Sequence, residues 1–306
     1  MRLLCLGDLH LRVKGPRIRV DSYFDTQFRK LKFIFDTFYK KKCDYILQPG
    51  DFFDSPDASY YLTNSLLELI LKFNILGRIL CVLGQHDMHY RALKVDNTPL
   101  GIFQTLGLIR ILDKDPLILP KEMSFYGCSF SQEIPNIITK NRFNVLLIHK
   151  MIITKKLWPT QTNFIYARDF LKKYDFDLVV SGDNHNFFIE EYNGKFLINC
   201  GSLMRMSVDQ TSFEPSIVVF DTDTKEYETI KIPIEPSERV MDITKFMKER
   251  ESKLELEKFV ESLKRRQIEG FSFLDALDEV LKEEKECVRD LILSFLKETK
   301  NARFVK

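Results

Sequence analysis

Short runs of Leu, Ile and Val alternate along this chain with longer stretches whose apolar residues recur every three or four positions. Residues 3–6, 45–47 and 79–83 are runs of the first kind and read as buried strands. Between them, residues 22–41 place Phe24, Phe28, Leu31, Phe35 and Phe38 at helical spacing, and residues 62–73 read as a second helix. Strand, helix, strand, helix, strand in that order predicts a parallel sheet built from crossover units. The middle of the chain is richer in strands. Residues 145–148 and 178–181 are apolar runs, and residues 187–192 and 195–199 flank Asn193-Gly194, a two-residue hairpin signal. Residues 216–220 and 226–232 predict a second hairpin, turning at 222–225. The expected architecture is α/β: two sheets packed together with helices outside.

The pattern changes after Pro233 and Pro236, from where the sequence is charged and helical to its end. Leu254, Phe259, Val260 and Leu263 mark one amphipathic face, and Gly270 interrupts it. Ser272 caps a second helix carrying Leu274, Leu277 and Leu281, with Asp275 three residues after the cap. Val288, Leu291, Ile292 and Phe295 form a third stripe. This divides the chain into a domain over residues 1–235 and a helical C-terminal appendage over 236–306.

Composition narrows the class without naming a function. The 306 residues are 44% apolar and 29% charged, as in ordinary globular chains. No stretch approaches the ~20 apolar residues of a membrane span. The N-terminus lacks a signal-peptide pattern, so a cytoplasmic location with no membrane association is expected. Six cysteines, none in a CxxC pair and most in apolar runs, read as reduced core thiols. The net charge of +2 means that any phosphate-binding surface is local. Arg12, Lys14, Arg17 and Arg19 form one such basic cluster, which a solvated loop would also explain.

Chemistry enters with the histidines. There are five, His10, His86, His89, His149 and His185, and four directly follow an apolar run beside Gly, Asp or an amide residue. Loops at the carboxyl ends of parallel strands are where α/β folds place their sites. Gly7-Asp8-Leu9-His10 leaves the first run; if extended, it points Asp8 and His10 to the same side. Gly50-Asp51-Phe52-Phe53-Asp54 leaves the second and supplies a carboxylate able to bridge two cations. Gly84-Gln85-His86-Asp87 leaves the third, His149 ends the fourth, and Gly182-Asp183-Asn184-His185 ends the fifth. Each motif is weak by itself, but five in one chain are hard to explain as packing.

In this order the motifs resemble the calcineurin-like metallophosphoesterase pattern DxH, GDxxD, GNHD, a lone His and GHxH, over roughly residues 1 to 235. More narrowly, Asp8-Leu9-His10-Leu11, Gly50 to Asp54 and Asn199-Cys200-Gly201-Ser202, with the run from Leu203-Met204-Arg205 to Asp209-Gln210, resemble SbcD-type DNA repair and recombination nucleases, especially phage-encoded ones. The resemblance implies a two-sheet metallophosphoesterase sandwich. One metal would be held by Asp8, His10, Asp51 and His185, and a second by Asp51, Gln85, His149 and Asp183. His86 would be the general acid, with Asp87 orienting or tuning it; His89 has no place in the pattern. Gln85 stands where the family has Asn, and Asp183 where it has the first His of GHxH. A hard carboxylate there favours Mn²⁺, with Mg²⁺ the alternative, over softer ions.

The implied activity is two-metal hydrolysis of DNA phosphodiesters, exo- or endonucleolytic. Substrate contacts are expected from Arg12, Arg17, Lys155, Trp158 and Arg205, set against plain surface roles for the same residues. The implied partners are DNA, an SbcC-like coiled-coil ATPase docked by part of residues 245–295, and a second copy of the chain as a homodimer. Two other readings stay open: a phosphoprotein phosphatase or small-nucleotide phosphodiesterase on the same scaffold, and a non-catalytic DNA-binding or scaffold subunit with a degenerate site.

Overall fold

The computed structural model describes residues 1–119, 122–136, 139–245 and 247. The stripes expected at 254–295 and Cys287 lie outside the described residues. The first compact unit runs from Met1 to Met241.

In chain order its strands and helices are β1 (Arg2–Cys5), α1 (Tyr23–Lys40), β2 (Tyr45–Gln48), α2 (Tyr60–Phe73), β3 (Ile79–Cys81), α3 (Pro99–Thr105), β4 (Ile109–Ile111), β5 (Leu117–Leu119), β6 (Met123–Cys128), β7 (Phe143–His149), β8 (Ile152–Ile153), β9 (Ile165–Tyr166), α4 (Ala167–Lys173), β10 (Leu178–Gly182), β11 (Phe188–Tyr192), β12 (Lys195–Asn199), β13 (Ser216–Asp221), β14 (Glu226–Lys231) and α5 (Ser237–Val240). Two six-stranded sheets result. The first has the order β14-β13-β1-β2-β3-β4 and the second β11-β12-β10-β7-β6-β5. Pairing is parallel from β1 through β4 and through β6, β7, β10 and β12. Pairing is antiparallel in the two expected hairpins, β11–β12 and β13–β14, and also between β1 and β13 and between β5 and β6.

Strand alternation explains why the inner strands read as unbroken apolar runs. Leu3, Cys5, Leu47 and Leu80 of the first sheet join Phe125, Val145, Leu147, Leu178, Val180 and Ile198 of the second in one buried layer. The intervening residues face helices instead. Leu4 and Ile46 pack with Leu31, Phe35 and Phe38 of α1, and Leu146, Ile148 and Val179 pack with Phe170 and Leu171 of α4. Strands covered on both faces have no polar side to show.

Helix ends follow local chemistry. The Ser59 hydroxyl accepts the Leu62 N–H to start α2, and Asn74 closes it in the left-handed region at φ 48°. Thr98 caps α3, with Pro99 in its first turn. Cys5, Cys43, Cys81, Cys128 and Cys200 are free and buried, as expected of core thiols. Among the described residues, no helix is long and apolar enough to cross a membrane.

Candidate metal centre

The loops leaving β1, β2 and β3 in one sheet and β7 and β10 in the other converge. Asp8 forms a bridge with Ser202. The segment from Asp8 is not extended throughout, as the alternation argument assumed: His10 takes a left-handed backbone at φ 43°, and so do Asp51 at 50° and Asp183 at 77°. Such conformations are uncommon for non-glycine residues and cluster at functional sites. The glycines beside them are required by space. A Cβ on Gly84 would lie 2.0 Å from Asp51 Oδ1, and one on Gly182 would lie 2.5 Å from Asp8 Oδ1.

Asp51 is the hub. Its Oδ2 lies 3.6 Å from His10 Nε2 and 3.4 Å from His149 Nε2, between imidazoles contributed by different sheets. Its Oδ1 accepts the His86 N–H at 2.9 Å. His10 Nε2 is 3.1 Å from His185 Nε2, which is 3.5 Å from Asp8 Oδ2. The same Asp8 oxygen accepts the Asp183 N–H at 2.9 Å. His149 donates its Nδ1–H to the Pro49 carbonyl at 2.7 Å, which turns the lone pair of Nε2 toward Asp51. Gln85 donates from its amide to Asp183 Oδ1 at 3.1 Å. Asp8, His10 and His185 bring ligand atoms within 4.8 Å of one another, as do His10, Asp51 and His86.

The orphans of this network identify its purpose. Asp8 Oδ1, Asp51 Oδ2, Gln85 Oε1, His149 Nε2 and His10 Nδ1 are buried side-chain atoms with no hydrogen-bond partner. Buried polar atoms are normally satisfied, and four of these are oxygens or a lone-pair nitrogen from proposed ligands. Divalent cations fit this donor set of carboxylate, amide and imidazole. The electrostatics agree. Burial pushes the Asp8 carboxyl well up, with Asp51 and Asp183 adding to the rise against the pull of His149. Burial opposes charge on Asp51 too, but His149 and His10 hold it below its usual value. Burial likewise opposes charge on His149, yet Asp51, Asp8 and Asp183 lift it to about 10. His185 is pushed down to about 4 by burial and by His10. The carboxylates thus draw a proton onto His149 where a cation would serve them better.

His86 is exposed. Its Nδ1–H donates to the Asp54 carbonyl at 2.9 Å, leaving Nε2 free to exchange a proton. Asp87, expected beside the His86 ring, instead accepts the N–H groups of Phe52, Phe53 and Gly84 at 3.1, 3.0 and 3.0 Å. It ties the loop after β2 to the turn after β3, so it sets where Asp51 and His86 stand; the ring itself is oriented by Asp54. Burial, then repulsion from Asp51, raises Asp87 to about 6.

The expected substrate residues divide. Arg12 pairs with Asp54 at 2.7 Å and lies over the Tyr23 ring at 5.4 Å, at the edge of the centre. Arg17 is exposed, and so are Lys155 and Trp158 in the loop after β8. Arg205 is not a surface phosphate binder. It is 4% exposed and donates to the carbonyls of Thr211 and Glu235, holding the chain after β12 to the segment after β14. His89 faces Asp57 at 3.5 Å.

Three supporting residues were given no role by the sequence reading, although Asp54 and Asn199 stand within its motifs. Asp54 stands 3.5 Å from His10 Nδ1 and is held down at about 2: burial opposes its charge, but His10 and Arg12 outweigh it. Gln27 of α1 accepts the Arg12 N–H at 3.2 Å and donates to the His10 carbonyl at 3.0 Å, pinning the turn that presents His10. Asn199 donates to the carbonyls of Asn184 and Asn186 at 2.6 and 2.7 Å and fixes the loop carrying His185. The available signal for Gln27 was an uncharged polar residue beside Phe28 and close to Leu31 of the amphipathic stripe.

A two-sheet sandwich that gathers carboxylates and imidazoles at its strand ends is the architecture of a metal-dependent hydrolase. The family model for calcineurin-like phosphoesterases matches residues 1–187, and the chain belongs to that family, whose members are generally metal-dependent hydrolases of phosphoester bonds. No curated protein matches the chain. Solved structures similar to it include TT1561 of Thermus thermophilus, 11% identical with a TM-score of 0.49 over 76% of this chain and 99% of that one. A novel archaeal phosphodiesterase is 15% identical with a TM-score of 0.40 over 76% and 99%. Vacuolar protein sorting 29 from Cryptosporidium parvum is 14% identical with a TM-score of 0.36 over 75% and 95%.

Proposed function

We propose that this chain is a two-metal DNA exo- and endonuclease, the nuclease subunit of an SbcCD-like repair or recombination complex, with Mn²⁺ favoured over Mg²⁺. The observation that carries the metal-dependent part is the set of orphaned donor atoms on Asp8, Asp51, Gln85 and His149. Asp8, His10, Asp51 and His185 would hold one ion, and Asp51, Gln85, His149 and Asp183 the other. Such ions supply Lewis acidity toward the phosphoryl group and lower the pKa of an attacking water. The chain does the rest. Asp51 sits between the two halves of the donor set. Asp54 holds the His86 ring by Nδ1, so Nε2 is the atom that hands a proton to the departing sugar oxygen. Asp87 keeps the Asp51 and His86 loops in register. DNA as substrate is supported by the likeness of the site motifs to SbcD-type nucleases and by the exposed Lys155 and Trp158, a cation with an aromatic able to stack a base. The helical region after residue 236 would dock the coiled-coil base of an SbcC-like ATPase, and the nuclease would work as a homodimer.

Nuclease assays with Mn²⁺ and with Mg²⁺ on linear DNA test this, with and without the candidate ATPase. Asp51→Ala is expected to lose cleavage and metal uptake together. His86→Gln is expected to keep the metals and lower kcat by ~10²- to 10⁴-fold. Turnover of small diesters or phosphoproteins without DNA cleavage would replace the nuclease reading with a phosphodiesterase or phosphatase. DNA binding without metal or turnover would make the chain a scaffold.

A further inference from the structure

A second charged site lies apart from the metal centre. A cleft of about 240 Å³ is lined by Thr26, Arg29, Lys30 and Phe33 of α1 and by Pro233, Ile234 and Glu235 after β14. Lys30 is its unusual member. It is 5% exposed and donates one hydrogen bond, to the Leu203 carbonyl at 2.7 Å. An ammonium has three donors, so two remain. Among the described residues no carboxylate lies within ion-pair distance of it. The charges acting most strongly on Lys30 are mostly of its own sign, Arg19, Arg205 and Arg29 against Asp21, and the Glu235 carboxylate lines the same cleft. Asp21 is already taken, accepting from Arg19 at 2.8 and 2.7 Å and from Thr26 at 2.7 Å. The Glu235 carboxylate stands 3.8 Å from Arg239. Among the described residues Arg29 makes a single hydrogen bond, to the Thr26 hydroxyl at 3.1 Å.

A cation buried without a counterion is costly. Here burial and the surrounding arginines hold Lys30 down at about 7, so the ammonium is only half-formed at neutral pH. Lys30 and Arg29 both line the cleft, so an anion entering it would supply the counter-charge that Lys30 lacks. Two cations converging from different side chains match the several non-bridging oxygens of a phosphate better than the two oxygens of one carboxylate. Phe33, Pro233 and Ile234 form apolar walls beside them, suited to a planar or apolar body. We propose that this cleft between α1 and residues 233–235 is a binding site for a phosphate group, free or carried on a compact body such as a nucleoside.

The full chain in excess chelator, with no cations to recruit phosphate to the metal centre, tests the proposal. Inorganic phosphate and a deoxynucleoside 5′-monophosphate are titrated separately by calorimetry and by thermal shift, against chloride at equal ionic strength. Saturable binding and a rise in Tm are expected. Arg29→Gln should weaken the Kd about tenfold, the equivalent of ~1.4 kcal/mol, and Lys30→Met should abolish saturation. Tighter binding of the monophosphate assigns a nucleotide; equal binding assigns free phosphate; both uphold the site. No saturable binding, or binding unchanged by Arg29→Gln, overturns it. Arg29 lies away from the core, so that variant decides the matter even if Lys30→Met fails to fold. Nuclease activity plays no part in the readout, so this outcome is independent of the proposed function.

Discussion

At the scale of single residues, the two departures from the family's pattern are in contact. Gln85 and Asp183 meet through a 3.1 Å hydrogen bond. A longer amide arm and a carboxylate that accepts from it form one unit, and the orphaned Gln85 oxygen is left facing inward. Manganese titration of the Gln85→Asn and Asp183→His variants, singly and together, measures this. Each single change is expected to weaken binding, and the pair to recover part of the loss with a coupling of ~1 kcal/mol, as for residues sharing a bond. Additive losses would show two independent ligands. The residue types at this centre were legible in the sequence because ligand chemistry admits few side chains. The partner of each was not. Nothing in Gly-Gln-His-Asp says that Asp87 turns to three backbone N–H groups while Asp54, one loop away, orients His86.

At the scale of elements, the periodic segments at 22–41 and 62–73 were read correctly as α1 and α2, and the misses have particular causes. β3 stops at Cys81 rather than running to 83, because the Leu83 N–H leaves its sheet for the Ser129 hydroxyl at 3.0 Å. β6 was not foreseen because Ser124 and Gly127 interrupt its apolar residues. Ser124 accepts from Arg142 at 3.0 Å, and a Cβ on Gly127 would meet the Leu112 backbone at 2.4 Å. Helix α1 hid the most. Its amphipathic stripe was clear, but Gln27 and Lys30 lie buried within it and grip the loops of His10 and Leu203. Lys30 gives this helix a pH signature. Below pH 7 the folded and unfolded chains both carry the proton; between about 7 and the ordinary 10.5 only the unfolded chain does. Without added anion, Lys30 therefore makes stability rise with pH across that window. His149, raised to about 10, acts in the opposite sense over nearly the same window, so the Lys30 contribution should appear in denaturant titrations as the difference in pH dependence between the wild type and Lys30→Met.

At the scale of the whole molecule, the centre straddles a seam. Asp8, His10, Asp51 and Gln85 follow strands of one sheet, while His149, Asp183 and His185 belong to the other. Cations bound there would join the sheets as well as serve the reaction. Removing them with a chelator is expected to lower Tm reversibly. Ligand at a hundred times its Kd contributes ~2.7 kcal/mol to folding, and restoring Mn²⁺ should return it. An unchanged Tm would mean that the seam holds without metal. The sandwich itself could be foreseen from strand order and hairpins. The crossing of ligands over the seam could not, because strand order within each sheet is set by contacts far apart in sequence.

The sealed thiols carry a consequence of their own. Cys43 and Cys81 lie in the layer under α1, Cys5 and Cys200 lie between the sheets, and Cys128 lies in the layer under α4. Burial pushes each of them up from the ordinary thiol range, so none offers a thiolate to reagents while its layer stays shut. Every stratum of this fold is thereby fitted with its own chemical stopwatch, and the sequence in which the sulfurs become alkylated records the order in which the strata part.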